Sequence, residues 1–487
     1  MRRVEIYVHL SRFLLIISIA LCFFYHFLPI GPFSNSVFDI GMLFLLVCVW
    51  VFIRFSQQSS LEGNWLKPSN LFLLAYLAVN FQYLLDYRLG LKNNTSASIY
   101  HPEVLTHCFL LGLVGLLAFT AGYIRSVSKG KNKTNMPRGM HQSLHLSDSI
   151  RIPMVAMHAL TFAVFLYVID FSSFLSGESY GESMATYAHV EKLLGALNVV
   201  IVYFAATRSK AEGSFKAYLA AFPWLSLAII TVYMLLRLVS GDRGPFVYTA
   251  LLLFYGYAYV SKKKWKLIPT VIVLSIAAAC MSVIGIARHL DFSQDFLSRM
   301  DAASEVFASS GRFSNDRSFS PLTEELGFSF VVNQTDVHAI EIEKESLHPG
   351  SYLLISILNG IPFAPGLITR LFHLSYEDFS STGFANVHFF NSPERTWSIG
   401  TTIVGDFYLQ LSVWGVLIGL FIAGLLMKEI DLVLYSKRKE EISMPMLVFA
   451  LVFSSKCLYI PRSLLFGELA TFIMAFLIIY ILRFIFR

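Results

Sequence analysis

The chain has 487 residues, of which 55% are hydrophobic and 14% are charged, and its mean hydropathy is +0.61. A water-soluble protein of this length could not bury so much apolar surface, so the composition indicates a polytopic membrane protein. The formal net charge is +6, and long basic or proline-rich tails are absent, so nucleic acid is not expected as a partner. We expect the first apolar segment to be a membrane helix rather than a cleavable signal peptide.

Apolar windows long enough to cross a bilayer recur along the chain. Because a crossing helix needs about 20 apolar residues, each window predicts one transmembrane helix in an all-α bundle. The predicted helices, about twelve in number, are 11–31, 37–53, 69–88, 104–124, 152–170, 192–207, 217–238, 245–260, 267–287, 399–427, 443–461 and 463–482.

The positions of Lys and Arg predict the orientation, because cytoplasmic loops carry an excess of both. The N-terminus and alternate loops, among them the one with Lys262 to Lys264, are rich in these residues. We therefore expect both chain ends, and the loop 428–442, to be cytoplasmic, and the connection 240–245 and the segment 288–398 to lie outside. The predicted organisation is helices one to nine in 1–287, a large outer loop in 288–398, and helices ten to twelve in 399–487.

The large outer loop is itself predicted to contain helices. The part near 293–309 is expected to be helical. The apolar run 352–372 contains Pro362 and Pro365, and a full crossing there would move the next basic loop outside. We therefore interpret that run as interfacial or re-entrant helices.

The hexapeptide Ser240–Pro245 places Asp242 and Arg243 in a tight turn at the predicted outer membrane boundary. One interpretation is a snorkelling Arg paired with its neighbouring Asp. The other is an anion site, in which a glycine-rich backbone and a guanidinium bind phosphate. Taken singly, each Arg at an outer helix end is more typical of an anchor or an ion pair than of a phosphate ligand. The further candidates are Arg237, Arg288, Arg395 and Arg462.

Three charged residues fall inside or near apolar stretches. We expect Lys456 and Glu468 to form a structural pair. Asp406 follows the polar stretch Gly400–Gly405, and it is as compatible with a functional role as with a structural one.

Histidines on the predicted outer side are candidate general bases, because a neutral imidazole can deprotonate a sugar hydroxyl. His289 follows a helix end, and His348 precedes the apolar run of the large loop. Taken singly, each of these histidines is more typically an ordinary loop residue than a catalytic base. The six outer histidines are His101, His289, His338, His348, His373 and His388.

No histidines, cysteines or acidic residues have the sequence spacing of a zinc site, so neither a metal nor another cofactor is predicted. The five cysteines all lie in apolar stretches, and no disulfide is expected.

The topology and four short stretches resemble the Wzy-type O-antigen (oligosaccharide repeat-unit) polymerases of bacterial envelopes. The motifs cover about a tenth of the chain, whereas the topology matches along nearly all of it. Asp406 stands where the family more commonly has Glu. The four stretches are Ser240–Gly244, Ile284–Arg288, His348–Gly350 with Ile361–Gly366, and Ser398–Thr402 continuing through Gly405–Tyr408 to Trp414–Gly415.

The resemblance implies a bundle similar to the GT-C glycosyltransferases, in the bacterial inner membrane, with a periplasmic active site. The implied reaction transfers a growing glycan from undecaprenyl pyrophosphate to a lipid-linked repeat unit, and the implied partners include a separate chain-length regulator. In this interpretation Arg243, Arg288 and Arg395, with Arg462 and Asp242 nearby, bind pyrophosphate. His348 or His289 is the base, and Asp406 orients it.

Two other functions remain open from the sequence. An O-antigen ligase is similar in topology and substrate, but it would attach the finished polymer to a lipid core. A flippase or transporter for the same lipid-linked glycan would carry charge through the membrane rather than at one face. A membrane scaffold without chemistry is the remaining alternative.

Overall fold

The computed structural model describes residues 2–57, 61–89, 100–126, 146–169, 184–209, 214–240, 243–287, 296–309, 329–358, 361, 371, 380–390, 400–436 and 442–486. These residues form helices joined by turns, and none of them is in a strand, which confirms the all-α prediction. The α-helices are α1 (Arg2–Phe27), α2 (Asn35–Ser56), α3 (Pro68–Arg88), α4 (Leu105–Ser126), α5 (Arg151–Val168), α6 (Met184–Arg208), α7 (Phe215–Ala220), α8 (Trp224–Val239), α9 (Arg243–Ser261), α10 (Leu267–Ala287), α11 (Phe296–Ser309), α12 (Phe330–Glu341), α13 (Ser351–Leu358), α14 (Ser381–Phe390), α15 (Ile403–Tyr435), α16 (Met444–Ser455) and α17 (Leu469–Ile485).

The chain divides into two compact units that are discontinuous in sequence. Unit 1 contains Met1–Asn135, Arg312–Asp431 and Cys457–Gly467. Inside it, α4 is buried along its length and packs against α1 and α2. Unit 2 contains Met136–Gly311, Leu432–Lys456 and Glu468–Arg487, and α6 at its centre packs against α5, α9, α16 and α17.

Among the described helices, eight are long and apolar enough to cross a membrane, and α8 and α16 are shorter apolar helices. Each of the predicted apolar windows coincides with a helix. Large apolar side chains such as Leu43, Trp50, Ile268 and Phe484 are exposed on these helices. Such exposure on long apolar helices is expected of surfaces that face lipid. The chain is therefore a polytopic helical membrane protein.

Two predicted helices are interrupted. The window 217–238 is divided into α7 and α8, because Pro223 lacks the N–H that a continuous helix needs. In α15 the backbone leaves the helical region at Leu411 and at Ser412, where φ is +55°. A Cβ on Gly415 would lie only 2.0 Å from the Phe407 carbonyl oxygen. Residues eight apart in a straight helix are separated by about 12 Å, so residues 403–410 fold back onto the helix that follows.

The predicted cytoplasmic loop 428–442 is wrong at its beginning, because α15 continues to Tyr435. Lys428 is consequently a buried helix residue with its Nζ 4.7 Å from the ring centroid of Tyr123. The five cysteines are free, as predicted. The helix expected near 293–309 is present as α11. Of the run 352–372, the first part belongs to α13, and most of the remainder lies outside the described residues.

Candidate active site

Helix α12 is the element on which the candidate site of unit 1 is built. It comes from the predicted outer loop, yet Asn333, Gln334 and Asp336 on it are all buried. The Gln334 side-chain oxygen accepts hydrogen bonds from the backbone N–H groups of Tyr100 and His101, at 3.0 and 3.2 Å. These bonds hold the segment before α4 against α12.

Asn333 binds α12 to two more elements. Its side-chain amide donates to the Asn80 side-chain oxygen on α3 at 2.9 Å. Its own side-chain oxygen accepts from the Thr402 hydroxyl at the start of α15, and that hydroxyl accepts from the Gly405 N–H at 2.8 Å. Buried amide groups are retained where each polar atom has a partner. The polar face of α12 thus determines where the fourth motif stretch lies.

Histidines and glutamates alternate at one end of α12, and we call this group the histidine–glutamate cluster: His101, Glu103, His338, Glu343 and His388. Glu103 Oε1 lies 3.4 Å from His101 Nδ1 and 3.5 Å from His338 Nε2. Glu343 Oε1 lies 3.5 Å from His338 Nδ1. The other carboxylate oxygen, Glu343 Oε2, accepts a hydrogen bond of 2.9 Å from His388 Nδ1. Each carboxylate therefore lies between two imidazoles, and all five side chains are partly exposed.

The two imidazoles beside Glu103 also touch each other. The rings of His101 and His338 stack with centroids 3.8 Å apart and an angle of 23° between their planes. Burial, and next the neighbouring His338, lower the pKa of His101, while Glu103 acts in the opposite direction. The neutral form of His101 is therefore favoured.

His348, the base suggested by the sequence, lies beside this cluster in unit 1. Its N–H donates to the Leu409 carbonyl at 2.9 Å, and its half-buried ring packs 5.1 Å from Tyr352 and 5.7 Å from Phe384. Phe384 also packs against His388, with centroids 4.4 Å apart. His348 and His388 therefore both contact the Phe384 ring.

Asp406, the predicted orienter, is on the same short helical segment as Leu409. Its side chain is buried, and its Oδ1 has no hydrogen-bond partner among the described residues. Asp336 of α12 lies beside it, with both oxygens likewise unpartnered there. A Cβ on Gly405 would be 2.3 Å from Asp336 Oδ2. Burial, and then the Asp406 carboxylate, raise the pKa of Asp336 well above its usual range. Asp336 is therefore held in its neutral form.

A third group lies at the end of α12. The hydroxyls of Tyr25 and Tyr408 donate to Glu341 Oε1 at 3.1 and 2.8 Å and are 3.0 Å from each other. Glu341 stands one helical turn after His338. The two tyrosines fix this end of α12 on α1 and α15.

Arg243 lies in unit 2, where it is the first residue of α9 rather than part of the preceding turn, two residues before the predicted helix start at 245. Lys456 lies near the same helix end, with its Nζ 3.8 Å from the ring centroid of Tyr248 and 3.2 Å from Glu468 Oε1. The predicted pair of Lys456 and Glu468 is confirmed. Lys192 is close to both of these residues.

Arg237 of unit 2 is fully buried and forms an ion pair with Glu191. Its guanidinium lies 5.6 Å from the Phe165 ring centroid and 5.4 Å from that of Tyr233. Arg237 is therefore a buried ion-pair residue rather than a phosphate ligand. Lys192 is close to Glu191 as well as to Glu468 and Lys456, so these charged groups of unit 2 lie near one another.

Of the remaining predicted site residues, one lies in unit 1 and the others lie outside the described part of the chain. Arg462 ends a short 3-10 turn of unit 1, with its guanidinium 5.5 Å from the Tyr459 ring centroid. Asp242, Arg288, His289 and Arg395 lie outside the described residues. The convergence of Arg243, Arg288 and Arg395 on one pyrophosphate thus stays a prediction.

Sequence reasoning missed Glu103, Asp336, Glu341 and Glu343 altogether. His388 was recognised only as one of several outer histidines. The available signal was the polar run Asn333–Asp336 followed by His338 and Glu341, which has the helical spacing that places side chains on neighbouring faces.

The family model for the O-antigen polysaccharide polymerase Wzy matches residues 10–487, nearly the whole chain. The chain belongs to this family. No curated protein and no solved structure matches it significantly. Membership agrees with the long apolar helices and supports a polymerase role in O-antigen biosynthesis, at a membrane and within lipopolysaccharide synthesis.

Proposed function

We propose that this Wzy family member transfers a growing glycan from undecaprenyl pyrophosphate to a lipid-linked repeat unit at the periplasmic face of the inner membrane. The observation that carries the proposal is the hydrogen bond between His388 Nδ1 and Glu343 Oε2. A carboxylate that accepts from one ring nitrogen fixes the tautomer and leaves the other nitrogen able to accept a proton. This is the arrangement that glycosyl transfer requires of a general base.

In the proposed step, the acceptor sugar hydroxyl gives its proton to His388 Nε2 as its oxygen bonds to the anomeric carbon of the growing glycan. The bond from that carbon to the pyrophosphate oxygen breaks, and undecaprenyl pyrophosphate leaves with the bonding electrons. His348, which also packs against Phe384, is the alternative base. Asp406 is a positioning residue, because its buried carboxyl lies on the segment that binds His348 through Leu409.

The leaving pyrophosphate needs positive charge, and guanidinium groups bind its oxygens in pairs. We assign this role to Arg243, Arg288 and Arg395, with Arg462 and Asp242 as further members. Arg243 begins α9, and Lys456 Nζ lies over the ring of Tyr248 near the same helix end, so a second cation close by supports its part in the assignment. Arg243→Ala and Arg395→Ala in a polymerase-null strain should each fail to restore long O-antigen ladders. Ladders restored by both would remove these residues from catalysis.

The base assignment is tested in the same strain and with purified protein acting on a lipid-linked repeat unit. His388→Ala should lower the rate of polymerisation at least about 100-fold, the usual contribution of a positioned base. His9→Ala, an exposed histidine of α1, is the matched control and should polymerise normally. His348→Ala distinguishes the two imidazoles. If the His388 variant keeps the wild-type rate while the His348 variant loses it, the base is His348.

Deletion of the gene tests the reaction class. A polymerase deletion should leave lipopolysaccharide with a single repeat unit, because ligation continues without polymerisation. Loss of every repeat from the lipid core would show a ligase and would overturn the proposal. Accumulation of repeat units on the cytoplasmic side would instead indicate a flippase.

A further inference from the structure

The two imidazoles beside Glu103 Oε1 lie at distances from this oxygen that hydrogen bonding does not explain. The distances from this oxygen to His101 Nδ1 and His338 Nε2 are 3.4 and 3.5 Å, and the three ligand atoms lie within 4.8 Å of one another. Hydrogen bonds of this kind are usually about 2.7–3.2 Å long, as is the 2.9 Å bond between His388 and Glu343 in the same cluster. Ligands of a tetrahedral zinc ion, with bonds of about 2.0–2.2 Å, are separated by about 3.3–3.5 Å.

We propose that His101, Glu103 and His338 bind a divalent transition-metal ion of the zinc class. Two imidazole nitrogens and one carboxylate oxygen form the ligand set of many open zinc sites, in which water or a substrate oxygen takes the fourth position. The side chains are 20–34% exposed, so an ion can enter from solvent. Sequence spacing could not predict this site, because its ligands come from the segment before α4 and from α12.

The surroundings have the features of a built metal site. Histidine ligands typically direct their second ring nitrogen at a carboxylate, which orients the ring. His338 does so, since its Nδ1 lies 3.5 Å from Glu343 Oε1. The backbone of His101 is fixed by Gln334, one helical turn before His338. The two carboxylates, Glu103 and Glu343, balance the charge of one divalent ion.

Binding requires one change in side-chain conformation. The stacked rings of His101 and His338 are nearly parallel, so an ion in the plane of one ring lies outside the plane of the other. One imidazole must rotate about its side-chain bonds to direct its nitrogen at the shared position. The backbone bonds from Gln334 do not oppose this rotation, since they involve only main-chain atoms of Tyr100 and His101.

The experiment measures metal on full-length protein purified in detergent without a histidine tag. After equilibration with Zn²⁺ and removal of free ion, mass spectrometry should find one zinc per wild-type chain. Glu103→Gln and His338→Ala should reduce retained zinc at least 10-fold. The exposed-histidine variant His9→Ala should retain it fully. Equal zinc in the wild type and both ligand variants would overturn the proposal.

A second measurement uses only the wild-type protein, so its outcome does not depend on whether the variants fold. Co²⁺ added to the wild-type protein should give the intense visible bands of a tetrahedral nitrogen and oxygen complex, and Zn²⁺ should remove them. Absence of these bands, with no retained zinc, would also overturn the site. Neither readout involves polymerisation, so the metal site and the proposed transferase can fail separately. His388→Ala, for example, should lose polymerase activity while keeping its zinc.

Discussion

At the scale of single residues, unit 1 contains a buried group of charges far from the histidine–glutamate cluster in sequence. Asp431 accepts hydrogen bonds from the hydroxyls of Ser69 and Tyr123, at 2.5 and 2.7 Å. Lys67 and Lys428 lie beside it, and all three charged side chains are buried. Burial lowers the pKa of Lys67 to about 7, although Asp431 acts in the opposite direction. Asp431 lies close to both cations, and the half-buried Glu429 is also close to Lys428.

Asp431→Asn should therefore destabilise the protein strongly, because it removes a counter-charge from two buried cationic groups. Breaking a buried pair in this way typically costs about 3–5 kcal/mol. In detergent melting experiments, Lys67→Met combined with Asp431→Asn should be less destabilised than Asp431→Asn alone. Asp39→Asn removes an exposed pair with Arg88, which water screens, and should leave the melting temperature nearly unchanged. Strict additivity of the two buried changes would contradict this account.

Asp336 gives a prediction about pH. Its folded pKa is raised by burial, so the folded state holds a proton that the unfolded state releases above the ordinary pKa. Its contribution to stability is present at low pH and is lost as the pH rises toward the folded pKa, by up to about 1.4 kcal/mol per pH unit. Asp336→Asn should reduce this loss, whereas the exposed Asp301→Asn should leave the pH profile of the melting temperature unchanged. Parallel profiles for the wild type and Asp336→Asn would refute the assignment.

At the scale of elements, α4 and α15 approach each other at their backbones. A Cβ on Gly122 would lie 2.1 Å from the Phe421 carbonyl oxygen, and one on Gly424 would lie 2.1 Å from that of Phe119. Small residues at such positions let membrane helices pack closely, which compensates for the weak hydrophobic driving force within lipid. The two glycines are therefore required by packing rather than by backbone conformation.

Gly122→Ala and Gly424→Ala should each lower the free energy of unfolding by about 1–3 kcal/mol, the usual cost of overpacking. Gly195→Ala on α6 is the matched control, because nothing lies within 4 Å of its added Cβ. That change should be neutral or stabilise the helix by about 0.5–1 kcal/mol. Melting temperatures in one detergent compare all three variants. A Gly195 variant destabilised as much as the other two would contradict this account, because the loss would then not depend on close packing.

The sequence predicted the membrane helices well and the interior of the large loop poorly. Apolar windows average over many residues, and they located α1 to α10 and α15 to α17, with α7 and α8 as one helix, although the predicted ends differ from the observed ones by up to nine residues. Helix α12 escaped detection, because its buried face carries Asn333, Gln334 and Asp336 instead of an apolar stripe. The reversal at Leu411 and Ser412 contains neither Gly nor Pro, so no local signal marked it. The grouping of four outer histidines likewise depends on contacts between distant segments.

At the scale of the whole molecule, the proposed chemistry requires that the histidine–glutamate cluster face the periplasm. Orientation was inferred from Lys and Arg alone, and the exposed basic turn after α9 with Lys263 and Lys264 is its clearest marker. If this turn is cytoplasmic and α10, a candidate span, crosses the membrane once, we expect the loop that carries Glu343 on the opposite side. The turn after α9 and the loop that carries Glu343 each contain exposed residues. A single cysteine introduced at either place can therefore show on which side of the membrane that place lies.

We therefore predict opposite labelling of Ser346→Cys and Lys264→Cys, made in a chain without exposed Cys280. In cells with a permeabilised outer membrane, an impermeant maleimide should react with Ser346→Cys, because that position lies beside the cluster. Lys264→Cys should react only after the inner membrane is also opened. Both variants change exposed side chains, so normal accumulation in the membrane is the control for folding. The reverse pattern would place the cluster in the cytoplasm, where a periplasmic polymerase could not use it.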